Sequence, residues 1–412
     1  MTPYVGLTYF LLLLYPLLAL VAVGVLGRLG RSIVLLVSVA IVVVQYGEPP
    51  IGDPSTGLGQ LAYLGAYAVG SVVVVCAYGA APRRQRAFYL AVALALLPVV
   101  LAKVHAAARE WAPTPEPHRY DAPGLATAAP GLFDTFGFLG MSYMALRVLD
   151  VVIALHDGVL RETPRTADLL SYLLFVPTIS AGPIDRFRRY THDLDGLPRP
   201  RRDYLRDVEA GIHRIAQGLL YKFIIAYLIY RHALRPLGGR AGVLADVGYM
   251  YAYSAYLFFD FAGYSAFAIG VGRFFGIHVP ENFNAPFLAR NFREMWDRWH
   301  ISLSWWLRDH VYMRFMLTAG RRKWFGGDRR RANAVGLLLT MGLMGCWHGL
   351  APRYVVYGLY QGVMLVGSDA VGRWSARRGV ASEGTFARTA SVLLTANLFC
   401  FGLLIFSGRL FR

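Results

Sequence analysis

The chain has 412 residues, 56% of them hydrophobic and only 16% charged, against the roughly 25% charge of a soluble domain. The deficit lies in long uncharged blocks, which excludes an ordinary globular fold, and a cleaved leader would explain the first block alone. The net charge of +17 is concentrated between those blocks, so the positive-inside rule accounts for it and no nucleic acid is implied.

In chain order, membrane spans are predicted at about 4–26, 32–46, 60–81, 86–101, 131–155, 208–234, 243–272, 334–350, 353–373 and 386–408. The basic linkers Arg28–Arg31 and Arg83–Arg86 read as cytoplasmic, while Glu48 and Asp53, in a turn-rich stretch, mark the opposite side. The N-terminus is therefore expected outside the cell membrane, as is the Pro-rich stretch 103–130. Two segments depart from simple crossing. Leu169–Gly182 is apolar between two cation-rich linkers, and Ser180-Ala181-Gly182-Pro183 offers a turn, so it is expected to enter the membrane and return. Asn291–Leu317 is too charged to face lipid and too aromatic for a solvent loop. Polar backbone at membrane depth requires surrounding protein or a wet cavity, so an interior chamber is expected. The expected fold is an all-α polytopic membrane protein, a bundle of about 10–11 spans with re-entrant or half-membrane helices around a central chamber. No internal repeat is visible, so the inverted-repeat signature of many transporters is lacking.

The chemistry concentrates in "NFREMWDRWHISLSWWLRDHVYMRF" (291–315) and "GCWHGL" (345–350). Read as a helix, the first segment places Trp296, His300, Ser304 and Leu307 on one stripe. Arg293, Asp297, Arg298, Arg308 and Asp309 would neutralise one another or hold a charged ligand. An interfacial amphipathic helix with snorkelling arginines is the alternative. His348 ends an apolar run, and an ionisable residue there is a functional candidate by default. A neutral imidazole is the form a general base needs; the alternative is a core histidine bonded to a carbonyl. Metal binding is disfavoured, since HExxH and a third ligand at characteristic spacing are absent. Cys346 and His348, two apart on a helix, point away from each other, which argues against a cysteine nucleophile. The three cysteines show no disulfide or zinc spacing. Asp260 lies inside an apolar span, where a carboxylate needs an arginine or backbone donor as anchor.

These motifs resemble the membrane-bound O-acyltransferase (MBOAT) family, closest to its D-alanyl-transfer, DltB-like branch. The resemblance is carried by "GMSYMALRVLDVVIALHDG" (140–158), "FVPTISAGPIDRFRRY" (175–190), "YLFFDFAGYSAFAIGVGRFFGIHVPENFNAPFLARNF" (256–292), "WDRWHISLSWWLRDHVYMRF" (296–315) and "GCWHGL". It divides the chain into N-terminal membrane helices (1–130), a catalytic core (131–350) and C-terminal membrane helices (351–412). It implies a transferase moving D-alanine from the phosphopantetheine thioester of a cytosolic carrier protein, across the membrane, to a hydroxyl acceptor on an envelope polymer or a partner acyltransferase protein. The thioester arm arrives with the carrier, and no cofactor resides in the chain. By motif position His348 matches the family's essential histidine and His300 its second one. Trp299, Ser304, Trp305, Arg308 and Asp309 are expected at the substrate, with His300, Ser304 or the Trp305 indole donating to the oxyanion; Asp260 and Asp297 are expected to be structural. Alginate-type O-acetyltransferases share Arg-Trp-His and Trp-His-Gly, but "RDHVYMRFML" lacks the Pro-Leu-Gly-Gly continuation typical of them. His310 stands where many relatives carry Tyr or Phe. Two other functions compete: O-acetylation of an exported polysaccharide, and a transporter or flippase with histidine proton relays.

Overall fold

The computed structural model describes residues 7–47, 54–81, 85–111, 139–378 and 384–411. The expected turn at 48–53 and most of the expected outer segment 103–130 lie outside the described residues. Among the described residues there is no strand; the sole extended pairing is an isolated antiparallel bridge between Phe283 and Trp299. The chain is an all-α polytopic membrane protein. Five helices among the described residues are long and apolar enough to cross a membrane: Gly59–Ala80, Gln85–Ala108, Arg201–Gly238, Val243–Phe274 and Thr385–Phe406. Tyr9–Val25 and Arg31–Gly47 are shorter apolar helices. The spans expected at 334–350 and 353–373 fall within Arg329–His348 and Pro352–Arg377. Those two helices are not among the five and carry more polar residues, Arg329–Arg331, Gln361, Asp369 and Arg373 among them.

The chain divides into two compact units. The first comprises Met1–Pro16 and Arg31–Ser180. Its central helix, α1 (Met141–His156), is buried on almost every face, with Met144, Val148, Val151 and Val152 fully enclosed. Arg147 is also enclosed, at 2% exposure. Its guanidinium donates to the carbonyls of Tyr172 (2.9 Å), Leu173 (3.0 Å) and Thr178 (2.6 Å), and to the Thr178 hydroxyl. The first two carbonyls close the short helix α2 (Thr166–Leu173), whose last turn has no intrahelical donors. Eight residues rise about 12 Å, less than half a bilayer core. The apolar stretch expected to enter and return is thus a short helix, and its exposed backbone ends on a buried cation.

The second unit comprises Leu17–Gly30 and Ala181–Arg412. Here α3 (Arg201–Leu219), prolonged by π-helical turns, packs against α4 (Val243–Phe274). Their backbones touch at Gly211 and Gly270, where a Cβ on Gly270 would lie 2.8 Å from the Gly211 carbonyl oxygen. Asp260, expected to pair with an arginine or a backbone donor, instead forms an ion pair with Lys222 on the π-helical prolongation. The remaining elements are α5 (Phe292–Trp296), α6 (Ile301–Leu307), α7 (Met313–Arg321), α8 (Arg329–His348), α9 (Pro352–Arg377) and α10 (Thr385–Phe406). α8 and α9 form a tight antiparallel pair joined by the three residues Gly349, Leu350 and Ala351.

Candidate active site

Residues 291–317 do not form the single helix that their periodicity suggests. The helix stops at Trp296, and His300 adopts left-handed backbone angles (φ 45°, ψ 50°) before α6 begins. A side chain with a Cβ is uncommon in that region and costs about 1–2 kcal/mol there. Neighbouring backbone holds it in place: the Ile301 N–H donates to the Asn282 carbonyl (3.0 Å) and the Asn284 N–H to the Arg298 carbonyl (3.0 Å). The fully buried Asn282 side chain adds a pin. Its Oδ1 accepts from the Ser302 hydroxyl (2.6 Å) and its amide donates to the Ser265 hydroxyl (3.1 Å), while Ser302 accepts from the Ile184 N–H (2.9 Å). Sequence reading missed Asn282; the only available signal was an amide between charged and aromatic residues in "PENFNAPF".

His348 is the last residue of α8. The chain then turns through Gly349, where a Cβ would fall 2.4 Å from the Tyr354 ring, and re-enters helix at Pro352, a residue suited to the first turn. Its imidazole is framed by Phe406 (5.0 Å between ring centres, edge-on) and Tyr357 (6.2 Å, edge-on).

His300 and His348 line one cavity of about 70 Å³ in the second unit. Trp296, Trp299, Phe261 and Tyr357 supply its aromatic wall, and Leu257, Leu403 and Phe406 complete it. The Phe261 ring meets His300 edge-on at 4.8 Å, and the Trp347 ring lies 6.2 Å from His300 and 4.9 Å from His348. His300 is 3% exposed, and its Nε2 has no hydrogen-bond partner among the described residues. An apolar cavity with two convergent imidazoles suits acid–base chemistry on an uncharged group, because hydrogen bonds and developing charges are strengthened where water is scarce.

The other residues singled out from the sequence fall in different places. Trp299 lines the cavity and packs edge-on against Phe283 and Phe399, each at 5.1 Å. Ser304 spends its hydroxyl on the carbonyls of Trp299 and His300. Trp305 is 47% exposed and lies under the Arg308 guanidinium. Arg308 pairs with Asp309, and Asp309 with Arg186, which also bonds His310. These residues form a surface charge cluster and are not among those lining the cavity. Asp297 is exposed at the end of α5 and makes no ion pair among the described residues; Arg293 binds Asp369 instead (2.8 Å). The break at His300 explains the separation, since it turns residues 304–309 away from the face that 296–300 present.

A family model for membrane-bound O-acyltransferases matches residues 154–390, more than half of the chain and both histidines. The chain belongs to this family. The acyltransferase is 34% identical to the teichoic acid D-alanyltransferase of Bacillus subtilis (strain 168), across 100% of this chain and 99% of that one. It is 40% identical to the protein of that name from Lacticaseibacillus rhamnosus, over 66% of this chain and 70% of the relative. A probable alginate O-acetylase, AlgI, of Pseudomonas syringae pv. tomato is 35% identical over 57% of this chain and 43% of its own. The reaction class is therefore transfer of an acyl group to a hydroxyl, and the rival reading as a transporter falls away.

Proposed function

We propose that this O-acyltransferase moves D-alanine from a thioester donor to a hydroxyl on an envelope polymer or on a partner protein that relays it. End-to-end likeness to a teichoic acid D-alanyltransferase supports D-alanine over acetate, because the alginate O-acetylase likeness covers little more than half of the chain. The observation that carries the mechanism is the shared cavity of His300 and His348.

In this mechanism neutral His348 accepts the hydroxyl proton as the oxygen attacks the thioester carbonyl, a role worth about 10²–10⁴-fold in rate. His300 steadies the carbonyl oxygen as it gains negative charge. The donor thioester would be the phosphopantetheine arm of a carrier protein. Its docking place is a groove of about 520 Å³ beside α7, where Met313, Leu317 and Trp324 adjoin Arg321 and Arg329. Apolar side chains flanked by two arginines, against the single carboxylate Asp328, suit an acidic protein, and complementary charge speeds encounter. The test supplies carrier protein loaded with labelled D-alanine, or with labelled acetate, to purified enzyme in membranes. D-alanyl transfer that His348→Ala abolishes is expected; transfer of acetate alone would replace the donor assignment, and full activity of the variant would remove the mechanism.

A further inference from the structure

Ser304 and Trp305 were the sequence's candidates for steadying the oxyanion beside His300. The first bonds its own backbone and the second is half-exposed, so one donor is left where two are the rule for such a site. Trp296 is the residue that the broken helix brings to the cavity instead. It is 8% exposed, and its indole Nε1 is buried with no hydrogen-bond partner among the described residues. An indole N–H can only donate, and leaving it buried and unmet costs about 1–3 kcal/mol. The leucine and phenylalanine side chains of the wall supply no acceptor. Gln361, a fully buried amide on α9, has no hydrogen-bond partner among the described residues and so does not accept from Trp296.

The indole is nonetheless held firmly. The Asn291 side chain caps α5 by accepting from the Glu294 N–H (2.9 Å), and Arg293 ties the helix to Asp369 on α9. The Trp296 ring packs edge-on against Phe399, 6.1 Å away. A buried, fixed and unsatisfied donor on a residue that lines the same cavity as His300, whose Nε2 is equally unsatisfied among the described residues, matches what a developing oxyanion requires, since preorganised donors need no rearrangement as charge appears.

We infer that the Trp296 N–H, together with His300 in its Nε2–H tautomer, donates to the carbonyl oxygen of the acyl thioester; this rests on the acyl-transfer reading above. The acceptor alcohol is served by His348 on the other helix pair, and thioester sulfur is a weak acceptor, so the carbonyl oxygen is the atom left to meet both donors. In the step, the alcohol oxygen bonds to the carbonyl carbon as its proton passes to His348. The tetrahedral oxyanion rests between Trp296 and His300. It then collapses, the carbon–sulfur bond breaks, and the His348 imidazolium returns the proton to the departing thiolate.

The test replaces Trp296 with Phe, and separately with β-(3-benzothienyl)alanine by site-directed incorporation, in which sulfur replaces the N–H and the shape is kept. Wild-type enzyme and His348→Ala are assayed beside them. Both replacements are expected to lower kcat for labelled acyl transfer about 10²-fold, with KM within a few-fold and the melting temperature of the benzothienyl protein unchanged. A purely packing role would move the melting temperature of the Phe variant and leave kcat of the benzothienyl protein at the wild-type value, which would overturn the inference. So would failure of the benzothienyl protein to fold, since the N–H would then be satisfied within the fold. Absence of transfer by wild-type enzyme, or activity in His348→Ala, strikes the proposed function instead.

Discussion

Gly345 and Gly358 meet backbone to backbone, and a Cβ built on Gly358 would stand 2.4 Å from the Met341 carbonyl oxygen and 2.9 Å from the Gly345 Cα. This contact closes the helix pair whose tip carries His348 and whose second arm carries Tyr357 into the cavity.

Gly358→Ala should therefore force the pair apart. Overpacking of this kind costs about 1–3 kcal/mol and should lower both the melting temperature and the rate of acyl transfer. Gly367→Ala, on the same helix but with nothing within 4 Å of the new methyl, should match or slightly exceed wild-type stability. Thermal unfolding of the two variants in the same detergent checks the contrast.

At His300 the backbone and the ring make separable demands. Asn tolerates left-handed angles better than most residues with a side chain, whereas Ala supplies neither the tolerance nor a donor. His300→Ala should lose about 10²–10³-fold in kcat and some stability. His300→Asn should keep the melting temperature and retain more activity than the Ala variant. Equal kcat in the two would show that no donor is needed at this position.

A general base must be unprotonated, so the sign of the pH effect is fixed. Transfer should rise with unit slope as pH climbs through the titration of His348 and then level off, because only neutral imidazole can accept the hydroxyl proton. Single-turnover rates at saturating donor, measured across the acid limb, check this. Residual activity in a His348 variant should lack that limb.

Asn282 is not among the residues that line the cavity of His300 and His348, but it fixes the turn that presents His300. Asn282→Ala should leave the Ser302 hydroxyl without its acceptor and cost about 1–3 kcal/mol of stability. Its effect on kcat should be nearly fully shared with Ser302→Ala, so that the double variant is little worse than either single one. Additive losses in the cycle would separate the two side chains.

The two histidines were legible for different reasons: His348 ends an apolar run, where a titratable group stands out, and His300 follows a tryptophan in a segment too charged for lipid and too aromatic for a loop. The break beside His300 was not. "RWHIS" contains neither Gly nor Pro, and its spacing reads as continuous helix. The interruption comes from residues 282–284, which offer backbone bonds on both sides of it, a pairing between segments with no local signature. That one turn decides which indoles reach the cavity: Trp296 and Trp299 do, and Trp305, equally prominent in the sequence, does not. Asp260 was expected to be anchored by an arginine or a backbone donor, but its partner is a lysine on a π-helical turn, a geometry that shifts side-chain phase and escapes a 3.6-residue reading. The apolar character of the long helices was plain from composition, while α8 and α9 are polar enough along their length that protein contacts must share the solvation of their membrane-depth groups.

Arg147 carries a consequence for biogenesis. Its guanidinium and the carbonyl-rich end of α2 are each poorly suited to lipid alone, and together they satisfy one another. Residues 141–178 are therefore expected to leave the translocon as a pair, the later segment arriving before the earlier one is abandoned to the acyl chains. Arg147→Leu would uncouple that delivery, leaving α1 better suited to lipid and α2 stranded, a fate to be seen as rapid proteolytic clearance of newly made chains.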